Sequence, residues 1–200
     1  MKSVWSLIVC LLLGLAPAQA QVIDIADRNT DITRYPPILV QAFVSATDRD
    51  FYQKAAWASP VTKMVVTITA PPEPNRRSSG LQRLAAARQW ATNFDHDELV
   101  ALALDGAYFG RRCFGAEDAS RAFFGKDLAA LDPTALIGLA IITTHPVGYL
   151  NDPSRLHART VEIAQSIMND GHLTRQEFDA ARDRPLQQVE SSRRCDPNQM

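Results

Sequence analysis

The C-terminal half of the chain is divided into short helices by a regular series of start and stop signals. Asp132-Pro133 and Asp152-Pro153 each place an N-capping side chain before a proline at the first helical position. Gly171 is placed to end the second of these helices. Thr174 and Glu177 have the spacing of a capping box at the start of the next one. The pattern therefore predicts an all-α structure with short loops.

The N-terminal half is predicted to be helical as well, with one segment of different character. Apolar residues recur at helical spacing behind Pro37, residues 81–94 are rich in alanine and arginine, and "HDELVALALDGAYFG" reads as an apolar helix ending near Gly110. The segment "SPVTKMVVTIT" is short and β-branched, and a short strand or turn at "VTITAPP" is the alternative to a phosphate-binding role for its threonine. "APPEPNRRSSG", with its three prolines, predicts a loop.

The first twenty residues have the pattern of a secretory signal peptide. Lys2 precedes an apolar run at residues 4–15, and Ala18-Gln19-Ala20 forms a small-x-small cleavage site. The run is too short for a typical membrane-spanning helix. We expect residues 1–20 to be removed on export to the periplasm or cell envelope; the alternative is a retained membrane anchor.

The remaining chain is predicted to form one domain between two polar segments. Residues 21–35 are a lead-in segment, residues 36–185 form the domain, and residues 186–200 form a polar C-terminal tail. We find no internal repeat. Loss of Lys2 with the signal changes the formal charge from −1 to −2, which argues against a nucleic-acid-binding protein.

The mature chain keeps two cysteines, Cys113 and Cys195. An exported protein could join them in one disulfide, and two unpaired thiols are the alternative. The four histidines are scattered, and no pair or cluster has the spacing of metal ligands. The residues therefore predict no metal site and no cofactor.

An ordered series of landmarks runs through residues 97–182. Its members are the Tyr-Phe-Gly at 108–110, the Phe-Gly-Lys at 124–126, the small-residue helix at 134–144, Tyr149 with Pro153, Arg159, Met168, Gly171 and Thr174. The series resembles glycosyltransferase family 51, the peptidoglycan glycosyltransferase domain of penicillin-binding proteins and monofunctional transglycosylases. The resemblance covers roughly residues 36–182. It implies a mostly helical, lysozyme-like fold that is shortened here between the first two family motifs.

The resemblance also implies a reaction, the polymerisation of lipid II into glycan strands. In the family, a glutamate in the first motif is the general base, and a second glutamate in an Arg-Lys-x-x-Glu motif assists at the donor diphosphate. A divalent metal often helps to neutralise that leaving group. The base must reach the acceptor hydroxyl, and cations are needed because charge grows on the departing diphosphate.

The first motif lacks its glutamate in this chain. Alignment on Phe51 and Tyr52 places Thr47 at the family glutamate and Asp48 directly after it. A threonine hydroxyl does not accept a proton near neutral pH. Asp48 is the candidate replacement base, although one residue further on it points about 100° around the helix. The alternative is a structural role for Asp48, bonded to neighbouring backbone or to Arg49.

The second and third motifs are also incomplete. Thr69 is retained from the second motif as a candidate phosphate ligand, but Ala70 and Pro71 replace its two glutamines. An ungapped count places Arg83 at the second glutamate. Between Gln53 and Phe94 the only acidic residue is Glu73, in the proline-rich loop, so no alignment restores a carboxylate to that helix.

Positive charge remains where the carboxylates are missing. The candidate ligands for a diphosphate or an anionic glycan are Arg49, Thr69, Arg77, Arg83 and Arg88. The alternative for the arginines is an ordinary solvated surface.

Three functions remain open on these residues. We expect a catalytically impaired protein, a pseudoenzyme that binds lipid II, nascent peptidoglycan or a cell-wall synthase, with the membrane surface as a further partner. The first alternative is an active glycosyltransferase that uses Asp48 and a divalent metal. The second is a lysozyme-like glycan hydrolase, which needs a carboxylic acid in a cleft; its candidates are Asp48, Asp50 and Glu117.

Overall fold

The computed structural model describes residues 30–70, residues 79–186 and Cys195. The predicted signal peptide, Arg77 and all of the C-terminal tail except Leu186 and Cys195 lie outside the described residues. The described residues form nine α-helices: α1 (Pro37–Thr47), α2 (Pro60–Thr69), α3 (Gly80–Asn93), α4 (His96–Gly106), α5 (Ala116–Phe124), α6 (Pro133–Ile142), α7 (Pro146–Asn151), α8 (Pro153–Asn169) and α9 (Arg175–Asp183). They also form one hairpin of strands β1 (Tyr108–Gly110) and β2 (Cys113–Phe114).

Helix α6 lies at the centre of the fold because its sequence is apolar on every side. Residues 135–142 are all buried. Helix α1 packs along α6 and contributes the fully buried Leu39 and Phe43. Helix α8 packs against both α6 and α1, and its buried residues include Leu156 and Ile163. These three helices form the main core.

Helices α2 and α3 form a smaller unit beside this core. The two helices pack on each other and on the 3₁₀ turn Ala56–Ala58, and α2 also packs against α4. We call residues 54–70 and 79–94 the basic lobe, because they include four lysines and arginines and no aspartate or glutamate.

The interpretation of residues 66–72 as a short strand or turn is wrong for residues 66–69, because they form the last turn of helix α2. Ser59 caps the helix by accepting a hydrogen bond from the Val61 N–H, and Pro60 occupies the first turn. Val61, Val65 and Thr69 recur every four residues and are buried on one face. Burial of that face against α4 outweighs the modest preference of valine and threonine for strands.

The helix predicted to end near Gly110 ends at Gly106 instead. The chain then turns into the β-hairpin, whose end is held by a hydrogen bond from the Gly115 N–H to the Ala107 carbonyl. Gly115 has a φ of 82°, and an added Cβ there would lie 2.7 Å from the Asp105 carbonyl oxygen. A disulfide joins Cys113 of the hairpin to Cys195.

The other helix boundaries follow the sequence signals. Asp132 accepts a hydrogen bond from the Ala135 N–H, and Asp152 accepts one from the Arg155 N–H. Apart from the hairpin, the described residues confirm the all-α prediction. None of the helices in residues 30–70 and 79–186 combines the length and apolar character needed to cross a bilayer.

Replacement of Thr174 by alanine is expected to lower the free energy of unfolding by about 1 kcal/mol. Thr174 and Glu177 form a complete capping box, in which each side chain accepts a hydrogen bond from the other residue's N–H. Chemical denaturation measures the change. Thr174→Ser is the matched control because it keeps the hydroxyl cap, and an equal loss in both variants would contradict the assignment.

Candidate functional site

The position of the missing glutamate is the last residue of α1. Thr47 places its Oγ1 atom out of contact with solvent, and this hydroxyl has no hydrogen-bond partner among the described residues. An unpaired buried hydroxyl is a costly feature in a folded protein. The Thr47 hydroxyl makes no hydrogen bond that would stabilise the fold, and it is too weak a base to take a proton from an acceptor sugar.

Asp48 is tied to the protein by both carboxylate oxygens. Its Oδ1 lies 2.5 Å from the Lys54 ammonium nitrogen, and its Oδ2 accepts a hydrogen bond of 2.6 Å from the Ser59 hydroxyl. The Asp48 side chain is only 8% exposed. Since Ser59 is the cap of α2, Asp48 links the end of α1 to the start of α2.

Arg49 forms an ion pair with Asp170. Its guanidinium donates from one nitrogen to both carboxylate oxygens of Asp170, at 3.0 and 3.2 Å, just beyond the end of α8. The pair is exposed to solvent.

Thr69, the candidate phosphate ligand, is buried, and its hydroxyl is bonded within α2. Its hydroxyl donates a 2.7 Å hydrogen bond to the Val65 carbonyl one turn earlier. Thr69 also lies at the opposite end of α2 from Ser59, about 15 Å along the helix axis. The structure therefore does not bring Thr69 together with Asp48.

Arg83 and Arg88 are both exposed on α3. The Arg88 guanidinium lies 4.7 Å from the centre of the Trp57 ring, in a cation–π contact that joins α3 to the 3₁₀ turn. The basic lobe carries four cations, Lys54, Lys63, Arg83 and Arg88, and its residues include no aspartate or glutamate. Lys54 is balanced by its ion pair with Asp48, so Lys63, Arg83 and Arg88 give the lobe its net positive charge.

A separate cleft of about 380 Å³ lies between α1 and the end of α8. Its lining includes Ser45, Asp50, Tyr52 and Asp170. Thr47 does not line it, since it follows Ser45 by two residues and so lies about 160° around α1. The cleft and the missing glutamate therefore occupy different faces of the same helix.

Tyr52 lies at one wall of this cleft as a neutral phenol. Burial raises the pKa of the Tyr52 hydroxyl, and the 2.7 Å hydrogen bond that it donates to Asp97 raises the pKa further. The phenol stays protonated at neutral pH and acts as a donor.

The remaining candidates for an acid differ in their surroundings. Asp50 lines the cleft, whereas Glu117 pairs with Arg121 at 2.9 Å on the surface of α5. In residues 30–70, residues 79–186 and Cys195, no group of three or more His, Cys, Asp and Glu side chains is arranged to hold a metal ion.

Sequence reasoning missed the partners of Asp48. The Ser59-Pro60 pair is a helix-start signal that was available in the sequence. Lys54 has no such signal, because its contact with Asp48 depends on how the chain turns between α1 and α2.

Comparison with known proteins shows which family this chain resembles. A family model described as Transglycosylase matches residues 58–168, a range that begins beyond Thr47 and Asp48. A protein of Cupriavidus necator named "putative transglycosylase" is 35% identical over 95 residues, covering 45% of this chain and 40% of that protein. Penicillin-binding protein 1A from Haemophilus influenzae superposes with a TM-score of 0.51 at 17% identity, covering 80% of this chain and 18% of that one. The chain spans less than half the length of either relative.

Proposed function

Because the chain belongs to the transglycosylase family, glycosyltransferase family 51, we propose that it works in the bacterial cell envelope by binding an anionic glycan precursor without polymerising it. The precursor class is a lipid-linked glycan diphosphate such as lipid II, or the nascent strand made from it. A cell-wall synthase that handles the same strand is a further partner. A shared fold does not by itself carry the activity of the family.

One observation carries the proposal, the state of Asp48, the acid that directly follows the position of the family glutamate. Asp48 is only 8% exposed, and its two oxygens are engaged by Lys54 and Ser59, so an incoming hydroxyl would have to compete with both contacts. A general base must lie within hydrogen-bond reach of the proton that it removes. Freeing Asp48 for this role would leave the Lys54 ammonium and the buried Ser59 hydroxyl without their partner.

The charge of the basic lobe supports binding. A departing diphosphate needs cations, and it also needs an acid or a metal for the family reaction. The lobe contains Lys63, Arg83 and Arg88 and no carboxylate, beside Lys54, whose charge is balanced by Asp48. This composition suits retention of an anionic ligand more than turnover of it.

The experiment compares binding and polymerisation of labelled lipid II by the purified protein. We expect saturable binding that weakens with salt, and no glycan polymer above background. Arg88→Glu is expected to weaken binding about tenfold, because it reverses one charge beside the proposed ligand. Arg175→Glu, on the exposed start of α9 outside the basic lobe, is the charge-matched control and should bind like the wild type.

Three kinds of result would overturn the proposal. Polymer made by the wild type and lost in Asp48→Ala would establish the active enzyme instead. Absence of lipid II binding, or equal binding by Arg88→Glu and the wild type, would remove the role given to the basic lobe. Release of fragments from finished glycan would favour a hydrolase.

A further inference from the structure

We propose that the β-hairpin at residues 108–114, with the neighbouring helix α7, docks the protein onto an anionic lipid bilayer. We call Tyr108, Arg112, Phe114 and Val147 the hairpin patch. This inference concerns a different surface from the basic lobe and does not depend on lipid II binding.

Most of the exposed large apolar side chains among the described residues belong to the hairpin and to α7, which packs on it. Five large hydrophobic residues of the described chain are exposed, and three of them belong to the patch: Tyr108 at 41%, Phe114 at 51% and Val147 at 64%. Tyr108 and Phe114 are paired across the two strands, with ring centres 5.1 Å apart. Clustering of this kind marks an interaction surface, whereas scattered single residues do not.

Helix α7 joins the patch by packing on the hairpin. A Cβ added to Gly110 would lie 2.5 Å from Leu150 Cδ1 and 3.3 Å from Pro146 Cβ, so β1 and α7 are in close contact. Val147 directly follows Pro146 and remains exposed.

The turn of the hairpin carries two arginines in a backbone conformation that arginine rarely adopts. Gly110 pairs with Cys113, which leaves Arg111 and Arg112 as a two-residue turn with φ angles of 50° and 65°. Two-residue turns of this kind favour asparagine and glycine, since both central residues need positive φ. Arginine at both places is strained, and strain of this kind is a reason to look for a function.

The charge of the turn is available to a ligand. Arg112 is exposed and makes no ion pair within residues 30–70 and 79–186. Arg111 lies with its guanidinium 5.7 Å from the centre of the Phe123 ring. The acids close to them in sequence have partners of their own: Asp105 pairs with Arg34, and Glu117 and Asp118 pair with Arg121.

The hairpin is also held in place before any ligand arrives. The disulfide fixes Cys113, and Gly115 leaves no room for a side chain beneath the Asp105 carbonyl. A surface whose backbone is already fixed loses less conformational freedom when it docks.

A bilayer fits this combination better than a protein partner. Tyrosine rings favour the headgroup region, and each arginine is attracted by anionic lipids. An exposed arginine beside two exposed aromatic rings needs no matching pocket in a bilayer, whereas a protein would have to supply one. Attraction between the positively charged turn and the anionic headgroups would orient the protein with the hairpin towards the bilayer.

The first test measures binding of the full chain to vesicles of phosphatidylcholine, with and without phosphatidylglycerol. Arg112→Gln is expected to bind the anionic vesicles about fivefold more weakly and the neutral ones equally. Tyr108→Ser combined with Phe114→Ser is expected to weaken binding to both about tenfold. Leu81→Ser, at an exposed residue of α3, is the matched control and should bind like the wild type.

A second test locates the contact, because the apolar run at residues 4–15 is present in every variant and could bind vesicles by itself. Phe114→Trp and Leu81→Trp are compared for fluorescence quenching by brominated lipids, after subtraction of the wild-type signal. We expect quenching above the wild-type signal for Phe114→Trp and none for Leu81→Trp. Equal quenching at both sites, or vesicle binding that Arg112→Gln leaves unchanged, overturns the proposal and points to a protein partner for the patch.

Discussion

Removal of the Cys113–Cys195 disulfide is expected to lower the free energy of unfolding by about 4 kcal/mol. The cysteines are separated by 82 positions, and a cross-link that closes so long a loop removes much of the freedom of the unfolded chain. The measurement is denaturant unfolding of the wild type with and without a reducing agent. A loss of this size is a large share of the stability of an ordinary domain.

The controls separate the cross-link from the loss of side chains. Cys113→Ala combined with Cys195→Ala removes the disulfide and avoids a single leftover thiol that could pair with Cys10. This variant should match the reduced wild type and no longer respond to the reducing agent. Equal stability of the oxidised and reduced wild type would show that the disulfide contributes nothing.

Replacement of Asp48 by alanine is expected to cost about 2 kcal/mol of stability. The change removes the ion pair with Lys54 and leaves the hydroxyl of the fully buried Ser59 without its acceptor. The partial exposure of Lys54 allows water to replace part of the lost contact, so the cost is smaller than for a fully buried pair. Urea unfolding at neutral pH measures the change.

Asp50 provides the matched control for Asp48. It lies two residues further on, is exposed, and makes no ion pair within residues 30–70 and 79–186. Asp50→Ala should therefore alter stability by less than about 0.5 kcal/mol. A stable Asp48→Ala protein with altered lipid II binding would contradict the structural role of Asp48, whereas a destabilised protein with unchanged binding would support it.

The sequence was sufficient for the elements whose signals are local. The caps at Asp132, Asp152 and Thr174 form as predicted because each needs only the next three residues of the chain. The ordered landmarks from 97 to 182 were sufficient for the family, since a family model matches residues 58–168 independently. The missing carboxylates could also be read from the sequence, because counting residues does not depend on their positions in space.

The tertiary structure alone decided which groups meet. Helix α2 shows the difference, because its β-branched residues favour a strand locally and become helical when one face is buried against α4. The partners of Asp48 and Arg49 show it again: they lie 6, 11 and 121 residues away, and no short-range pattern specifies such contacts. Local signals set where helices begin and end, while side-chain partners depend on how those helices pack.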